Sequence, residues 1–198
     1  MVNRQSRTRE SGRPIEVQQL PPAASDDAKL MERITDLIND VYAVAEDGLW
    51  VEQATRTTAR EVAELTRAGQ IAVARLRGRV VGCVRVQRLD EHTGEFGMLA
   101  ADRAYRGVGI GRELVRFAER KSAAEGLRSM RLELLVPRDW THPTKEFLAA
   151  WYTRIGYRVA RTGTIDEAYP ALGPLLATPC DFVIYQKQLA DPRGGSDQ

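Results

Sequence analysis

The chain has 198 residues and a mass of 22.1 kDa, enough for one domain with short extensions and too little for two of ordinary size. Its 43% hydrophobic and 28% charged residues give the balance of a globular protein, which excludes wholesale disorder, a collagen-like chain and a disulfide scaffold. The formal net charge is +2, and residues 1–14 alone carry +3 through Arg4, Arg7, Arg9 and Arg13 against Glu10, so the body is nearly neutral and has no general attraction to nucleic acid or an anionic membrane.

Residues 1–14 and 190–198 are polar and without period, and are expected to be tails flanking one domain over 15–189. Within it, Ile15–Leu20 alternates as a short strand, and Leu30, Ile34, Leu37, Ile38, Val41 and Tyr42 recur at helical spacing. Thr57–Arg67 predicts a second helix, stopped by Gly69. The period then changes to two. Ile71–Leu76 and Val80–Arg88 read as a hairpin about Arg77, Gly78 and Arg79, and Glu95–Ala101 as a further strand. Ile110, Leu114, Phe117, Ala118 and Lys121 mark a helix from about Gly109 to Glu125, and Met130–Val136 is apolar enough for the middle of a sheet. Pro143 opens a helix whose predicted inner face is Phe147, Leu148, Trp151, Tyr152 and Ile155. Tyr157–Arg161 and Phe182–Gln188 are the last strands, joined by a long connection with a short apolar turn at Leu172–Leu176. The order β-α-α-β-β-β-α-β-α-β-β predicts an α/β domain with one mixed sheet.

Cys83 and Cys180 lie in apolar runs without metal or disulfide spacing and are expected to be free buried thiols. With no leader-like apolar core and no run approaching the ~18 apolar residues of a membrane span, a reducing, cytoplasmic setting is expected.

The segment that carries chemistry runs from Glu95 to Arg112, with Arg106-Gly107-Val108-Gly109-Ile110-Gly111 at its centre. Glycines let backbone N–H groups approach a ligand closely, and the helix they open offers unpaired donors and a positive dipole end, which suits phosphate. Arg106 adds a fixed charge and favours a pyrophosphate over a lone carboxylate. The spacing is not the G-x-G-x-x-G of a dinucleotide fold, and no Lys follows as a P-loop requires.

This stretch resembles the central motif of the GCN5-related N-acetyltransferases, R/Q-x-x-G-x-G/A at a strand-to-helix corner. The likeness extends back through Leu99-Ala100-Ala101 and forward to Trp151-Tyr152-Thr-Arg-Ile-Gly156-Tyr157, and spans roughly residues 15–189. The resemblance implies a single α/β domain whose central mixed, largely antiparallel twisted sheet is flanked by helices and splayed between the fourth and fifth strands. It implies acetyl-coenzyme A as acyl donor, no metal, and contacts to the pyrophosphate from Arg106, Gly107, Val108, Gly109, Ile110, Gly111 and Arg112. The backbone of Leu99, Ala100 and Ala101 would hold the pantetheine arm and polarise the thioester carbonyl, and Gly97 is compatible with the bulge that splaying needs. Ala101 replaces a usual valine, Arg103 stands where proline is frequent, and Lys145 replaces a helix asparagine that contacts the cofactor in relatives. Tyr152 aligns with the tyrosine that protonates the leaving thiolate, a task suited to a phenol of pKa about 10.

The acceptor amine must lose a proton as it attacks. Glu95, six positions before Ala101, stands at the register where the resemblance implies a base glutamate and is the candidate base; His92 and His142 are alternatives, and Glu133 can point to either face of its strand. Transfer is expected to be direct, with Cys83 packing in its strand and not acting as a nucleophile. The acceptor is a small-molecule or peptide amine of unread identity. Its recognition would fall to Leu30–Arg67, Arg138–Thr144 and Thr162–Pro179, where Asp166 and Glu167 would help admit a cation. No nucleic-acid or membrane partner is expected, and a homodimer, common among relatives, is compatible with the sequence. A non-catalytic acyl-coenzyme A binding or sensing module is the alternative.

Overall fold

The computed structural model describes residues 15–51 and 55–190. The expected tails, apart from Ala190, lie outside them. Seven strands form one sheet: β1 (Glu16–Gln19), β2 (Ile71–Leu76), β3 (Arg79–Arg88), β4 (Thr93–Ala101), β5 (Ser129–Pro137), β6 (Arg158–Gly163) and β7 (Cys180–Gln188), in the order β1-β2-β3-β4-β5-β7-β6. Neighbours are antiparallel except β4 and β5, which are parallel. The helices are α1 (Ala28–Ala45), α2 (Ala59–Arg67), α3 (Ile110–Ala124), α4 (Pro143–Arg154) and a single turn, α5 (Ile165–Ala168). The mixed, mostly antiparallel sheet is the one expected; only α5 has no counterpart in the periodicity, because one turn is too short to show a helical repeat.

The helix starts follow from local chemistry. Asp27 accepts from the Leu30 amide (3.0 Å) and Thr58 from the Glu61 amide (3.2 Å), capping α1 and α2. His142 caps α4 through Nδ1, which accepts from the Thr144 amide (3.2 Å), ahead of Pro143 in the first turn. At the start of α3 the cap position is Gly109 in the left-handed region (φ 95°), with no side-chain cap. The first amides of that helix are therefore left for something else.

Both faces of the sheet are covered. α1 and α2 bury Ile34, Ile38 and Val62 against Leu20, Ile71, Val73, Cys83 and Ala100. On the other face Ile110, Leu114, Val115 and Ala118 of α3 meet Ala72, Val84, Val86 and Phe96, and Tyr152 of α4 joins Met130, Leu132 and Tyr185. Each Leu, Ile, Val, Met or Phe among them contributes roughly 1.5–3 kcal/mol on burial. A smaller cluster of Leu49, Leu135, Ile165, Cys180 and Phe182 lies where residues 49–51 cross the β6–β7 connection. There the Val51 amide donates to the Leu175 carbonyl and the Ala177 amide to the Leu49 carbonyl, both at 2.9 Å.

The seat of α3 depends on Gly82 in β3. A Cβ there would lie 2.6 Å from Ile110 Cγ2 and 3.0 Å from the Ala100 carbonyl oxygen. Gly82→Ala is expected to destabilise by about 1–3 kcal/mol through overpacking. In a thermal melt that is a fall of roughly 2–4 °C per kcal/mol for a chain of this size.

Candidate active site

The parallel pairing of β4 with β5 is brief: only Thr93, Gly94 and Glu95 face Ser129, Met130 and Arg131. From Phe96 onward β4 has no partner on that side among the described residues, so its backbone groups face a gap. On the other side the register with β3 slips between Cys83 and Arg85, where Met98 takes a positive φ of 48°. That is a β-bulge, and it turns the end of the strand away from β5. The bulged residue is Met98, one position after the glycine expected to permit it. Gly97 is not in the left-handed region, and a Cβ there would meet nothing.

The corner beyond the gap is built from backbone. The Val108 amide donates back to Tyr105 (3.2 Å), and among the described residues the next amide to bond an earlier carbonyl is that of Glu113, on Gly109 (3.1 Å). Gly107 (φ 84°) and Gly109 (φ 95°) supply the left-handed backbone that exposes these donors, and a Cβ on Gly107 would touch nothing. Arg106 is exposed beside them and forms no ion pair among the described residues. Trp151 of α4 closes the far wall: a Cβ on Gly111 would lie 3.7 Å from its indole. A cleft of about 480 Å³ between α1 and the end of β4 is lined by Arg33, Asp36, Asp40, Val80, Asp102 and Arg103.

Tyr152 lies on the α3 and α4 face. It is 5% exposed and held among Phe96 of β4 (6.1 Å between ring centres), Trp151 (5.0 Å), Tyr157 and Tyr185 (6.2 Å each). Desolvation pushes its phenol above the ordinary tyrosine value. Its hydroxyl has no hydrogen-bond partner among the described residues yet keeps some solvent contact, since Ser122 Oγ is the fully buried side-chain polar atom left without one. α4 packs through the expected Leu148, Trp151, Tyr152 and Ile155. Phe147 departs from that face at 56% exposure, and Lys145 is buried beside it because it finds an acidic partner inside.

That partner is Glu46, at the end of α1. Lys145 Nζ lies 3.3 Å from Glu46 Oε1, and Trp50 Nε1 donates to Oε2 (2.9 Å). Burial holds the Lys145 ammonium below the usual lysine range while Glu46 opposes it. Lys145 thus ties α4 to α1 and to residue 50. Glu46→Ala would strand a buried cation and is expected to destabilise by about 3–5 kcal/mol, seen as a lowered Tm.

On the opposite face a polar row crosses the sheet where β4 and β5 part. Gln87, Glu95, Arg131 and Gln186 are direct cross-strand neighbours. Gln87 Nε2 donates to Glu95 Oε1 (2.7 Å), and Arg131 Nε donates to Glu95 Oε2 (2.8 Å). Arg131 Nη2 donates to Glu133 Oε1 (2.5 Å), and the Tyr169 hydroxyl donates to Glu133 Oε2 (2.9 Å). Burial first, then the Glu95 charge, raises Glu133 above the ordinary carboxylate value; burial and Glu133 push Tyr169 up to about 12. Glu95 is thus brought to the gap, and Glu133 with it.

The bonds of Arg131 and Tyr169 to Glu133 were not legible in their sequence context. The signal for Arg131 was available, since it pairs with Glu95 once the two strands are set parallel. Tyr169 comes from an irregular connection that carries no period. Glu167 of the same connection, expected to attract a cation, is instead ion-paired with Arg161 and bonded by Thr164. His142 is the helix cap described above, and His92 lies exposed beside Glu91 (3.3 Å). Cys83 donates weakly to the Met98 carbonyl (3.8 Å), and burial pushes its thiol up to about 12, a packing environment and not that of a nucleophile. Both cysteines are free and buried.

The model of the acetyltransferase (GNAT) family matches residues 31–157. The chain belongs to the GNAT acetyltransferase family. No curated protein sequence matches it. Among solved structures, aminoglycoside 6'-acetyltransferase type Ii superposes with a TM-score of 0.62 at 18% identity, over 90% of this chain and 99% of that one. YncA from Salmonella typhimurium, solved with its cofactor acetyl-CoA, gives 0.60 at 16% identity, over 94% and 100%. Ard1 from Thermoplasma volcanium gives 0.59 at 17%, over 89% and 98%. At these identities the likeness establishes the GNAT fold, with its splayed β4 and β5, and leaves the substrate open. Among the described residues no helix is long and apolar enough to cross a membrane, and no three His, Cys, Asp or Glu side chains gather as a metal-ligand set.

Proposed function

We propose that the protein is an N-acetyltransferase that moves the acetyl group of acetyl-coenzyme A to an amine by direct attack. The observation that carries this is the gap between β4 and β5, which opens onto the uncapped start of α3 with a buried phenol on one face and paired carboxylates on the other. The residues fit the cofactor. The amides of Gly109, Ile110, Gly111 and Arg112, with Arg106, Gly107 and Val108, suit a pyrophosphate. The unpaired side of Leu99, Ala100 and Ala101 suits an amide-bearing arm and offers donors to a thioester oxygen.

The reacting atoms are then flanked by Tyr152 as acid and by the Glu95 and Glu133 carboxylates, joined through Arg131, for the base step. No covalent enzyme intermediate is needed, because the amine and the thioester are held together. The acceptor is a small-molecule or peptide amine. Thiol release from acetyl-coenzyme A, measured with spermidine, kanamycin, glutamate and an alanyl peptide, tests the reading. Release that depends on one of these amines supports it, and the absence of amine-dependent release across amine classes sinks it.

A further inference from the structure

Glu95 and Glu133 are separated by strand pairing. β4 and β5 are joined only as far as the Glu95–Arg131 pair, so Glu95 sits at the hinge of the gap, where the two backbones still bond. Glu133 is the next residue of β5 on the same face, placed where β4 has already diverged. Both oxygens of each carboxylate are bonded, those of Glu95 to Gln87 and Arg131 and those of Glu133 to Arg131 and Tyr169, and the difference lies in place and access: the Glu95 side chain is 10% exposed at the last paired position, that of Glu133 18% exposed beyond it. The charged and titratable groups facing Glu133 are Glu95 from β4, Arg131 from β5 and Tyr169 from the β6–β7 connection. Its partner on β7 is Ile184, and Arg56 acts on Tyr169.

Resting on the transferase reading above, we propose that Glu133 takes the proton from the acceptor ammonium, and that Glu95 is a positioning residue that holds Arg131 so that Glu133 faces the gap. The ammonium gives one proton to the Glu133 carboxylate. The freed nitrogen lone pair forms the N–C bond at the acetyl carbonyl carbon, and the C–S pair leaves on the coenzyme A sulfur. That sulfur takes the Tyr152 proton, the second proton of the acylated nitrogen returns to Tyr152 through water, and Glu133 releases its proton to solvent.

The three side chains move the acid limb of the rate in different directions. The Glu95 charge favours protonated Glu133, so Glu95→Gln shifts the limb to lower pH. The Tyr169 hydroxyl favours the carboxylate, so Tyr169→Phe shifts it to higher pH, with the full rate recovered above it. Glu133→Gln abolishes the limb. Its kcat falls about 10²-fold, and the residual rate climbs with pH in step with the free-amine fraction.

The experiment is the pH profile of kcat and kcat/KM for these variants, using whichever of spermidine, kanamycin, glutamate and an alanyl peptide releases thiol fastest, with coenzyme A protection in a thermal melt as a control on the fold. A limb that survives Glu133→Gln and vanishes in Glu95→Gln overturns the proposal, as does loss of coenzyme A protection in Glu133→Gln. A wild type that binds coenzyme A but acetylates none of the amines counts against the transferase reading itself. In that case 13C NMR of the glutamate-labelled chain still decides the ionisation on which the proposal depends. The carboxyl resonance missing from Glu133→Gln must titrate above the ordinary carboxylate range, and titration within that range overturns it.

Discussion

Tyr152→Phe is expected to lower kcat for thiol release by about 10²-fold while leaving coenzyme A binding intact, the size typical of losing a positioned proton donor. The ring is fixed by Phe96, Trp151, Tyr157 and Tyr185, so removing one oxygen leaves the packing in place. The oxygen has no hydrogen-bond partner among the described residues to lose, which keeps the stability cost small. A free phenolate is disfavoured in those apolar surroundings, so the proton reaches sulfur in concert with the one leaving nitrogen. Because the phenol is held above its ordinary value, Tyr152 stays protonated through neutral pH and sets no alkaline limb there. A kcat unchanged in Tyr152→Phe would remove it from the mechanism.

Arg106→Glu is expected to weaken coenzyme A by about 10²-fold with little change in Tm of the unliganded protein. A charge-assisted hydrogen bond to phosphate is worth about 1.5–3 kcal/mol, and reversing the sign adds repulsion at the same spot. Each 1.4 kcal/mol is a factor of ten in Kd. The side chain is exposed and without an ion pair among the described residues, so nothing in the fold depends on its charge. Isothermal titration with coenzyme A measures the change. Equal affinity in the variant and the wild type would place the pyrophosphate elsewhere.

The order of elements and the corner at Arg106–Gly111 were legible in the chain because both rest on local rules. Alternation marks strands, a 3.6-residue repeat marks helices, and glycines mark a backbone that must turn left-handed. Glu95 became a candidate only through the family resemblance, which places a base glutamate at that register of the strand. What could not be read depends on which strands become neighbours. Arg131 acquires its meaning only when β5 is set parallel to β4, and Glu133 only when the pairing is seen to stop two positions earlier, at Arg131. Four of the five residues expected on the inner face of α4 pack against the core, and apolarity fails only at Phe147, which faces out, and at Lys145, which goes in because Glu46 is there. Tyr169 was hidden in a connection whose course is set by its own contacts with β5, β7 and residues 49–51.

The proposed transfer depends on the uncapped α3 corner and the open edge of β4 being an acyl-coenzyme A site. Thermal unfolding of the wild-type chain with increasing acetyl-coenzyme A tests that most directly, since a ligand of the folded state at 100 times its Kd stabilises by about 2.7 kcal/mol. Tm is expected to rise with concentration for acetyl-coenzyme A and coenzyme A alike, with the rise largely lost in Arg106→Glu. A Tm that stays flat with both ligands would contradict it.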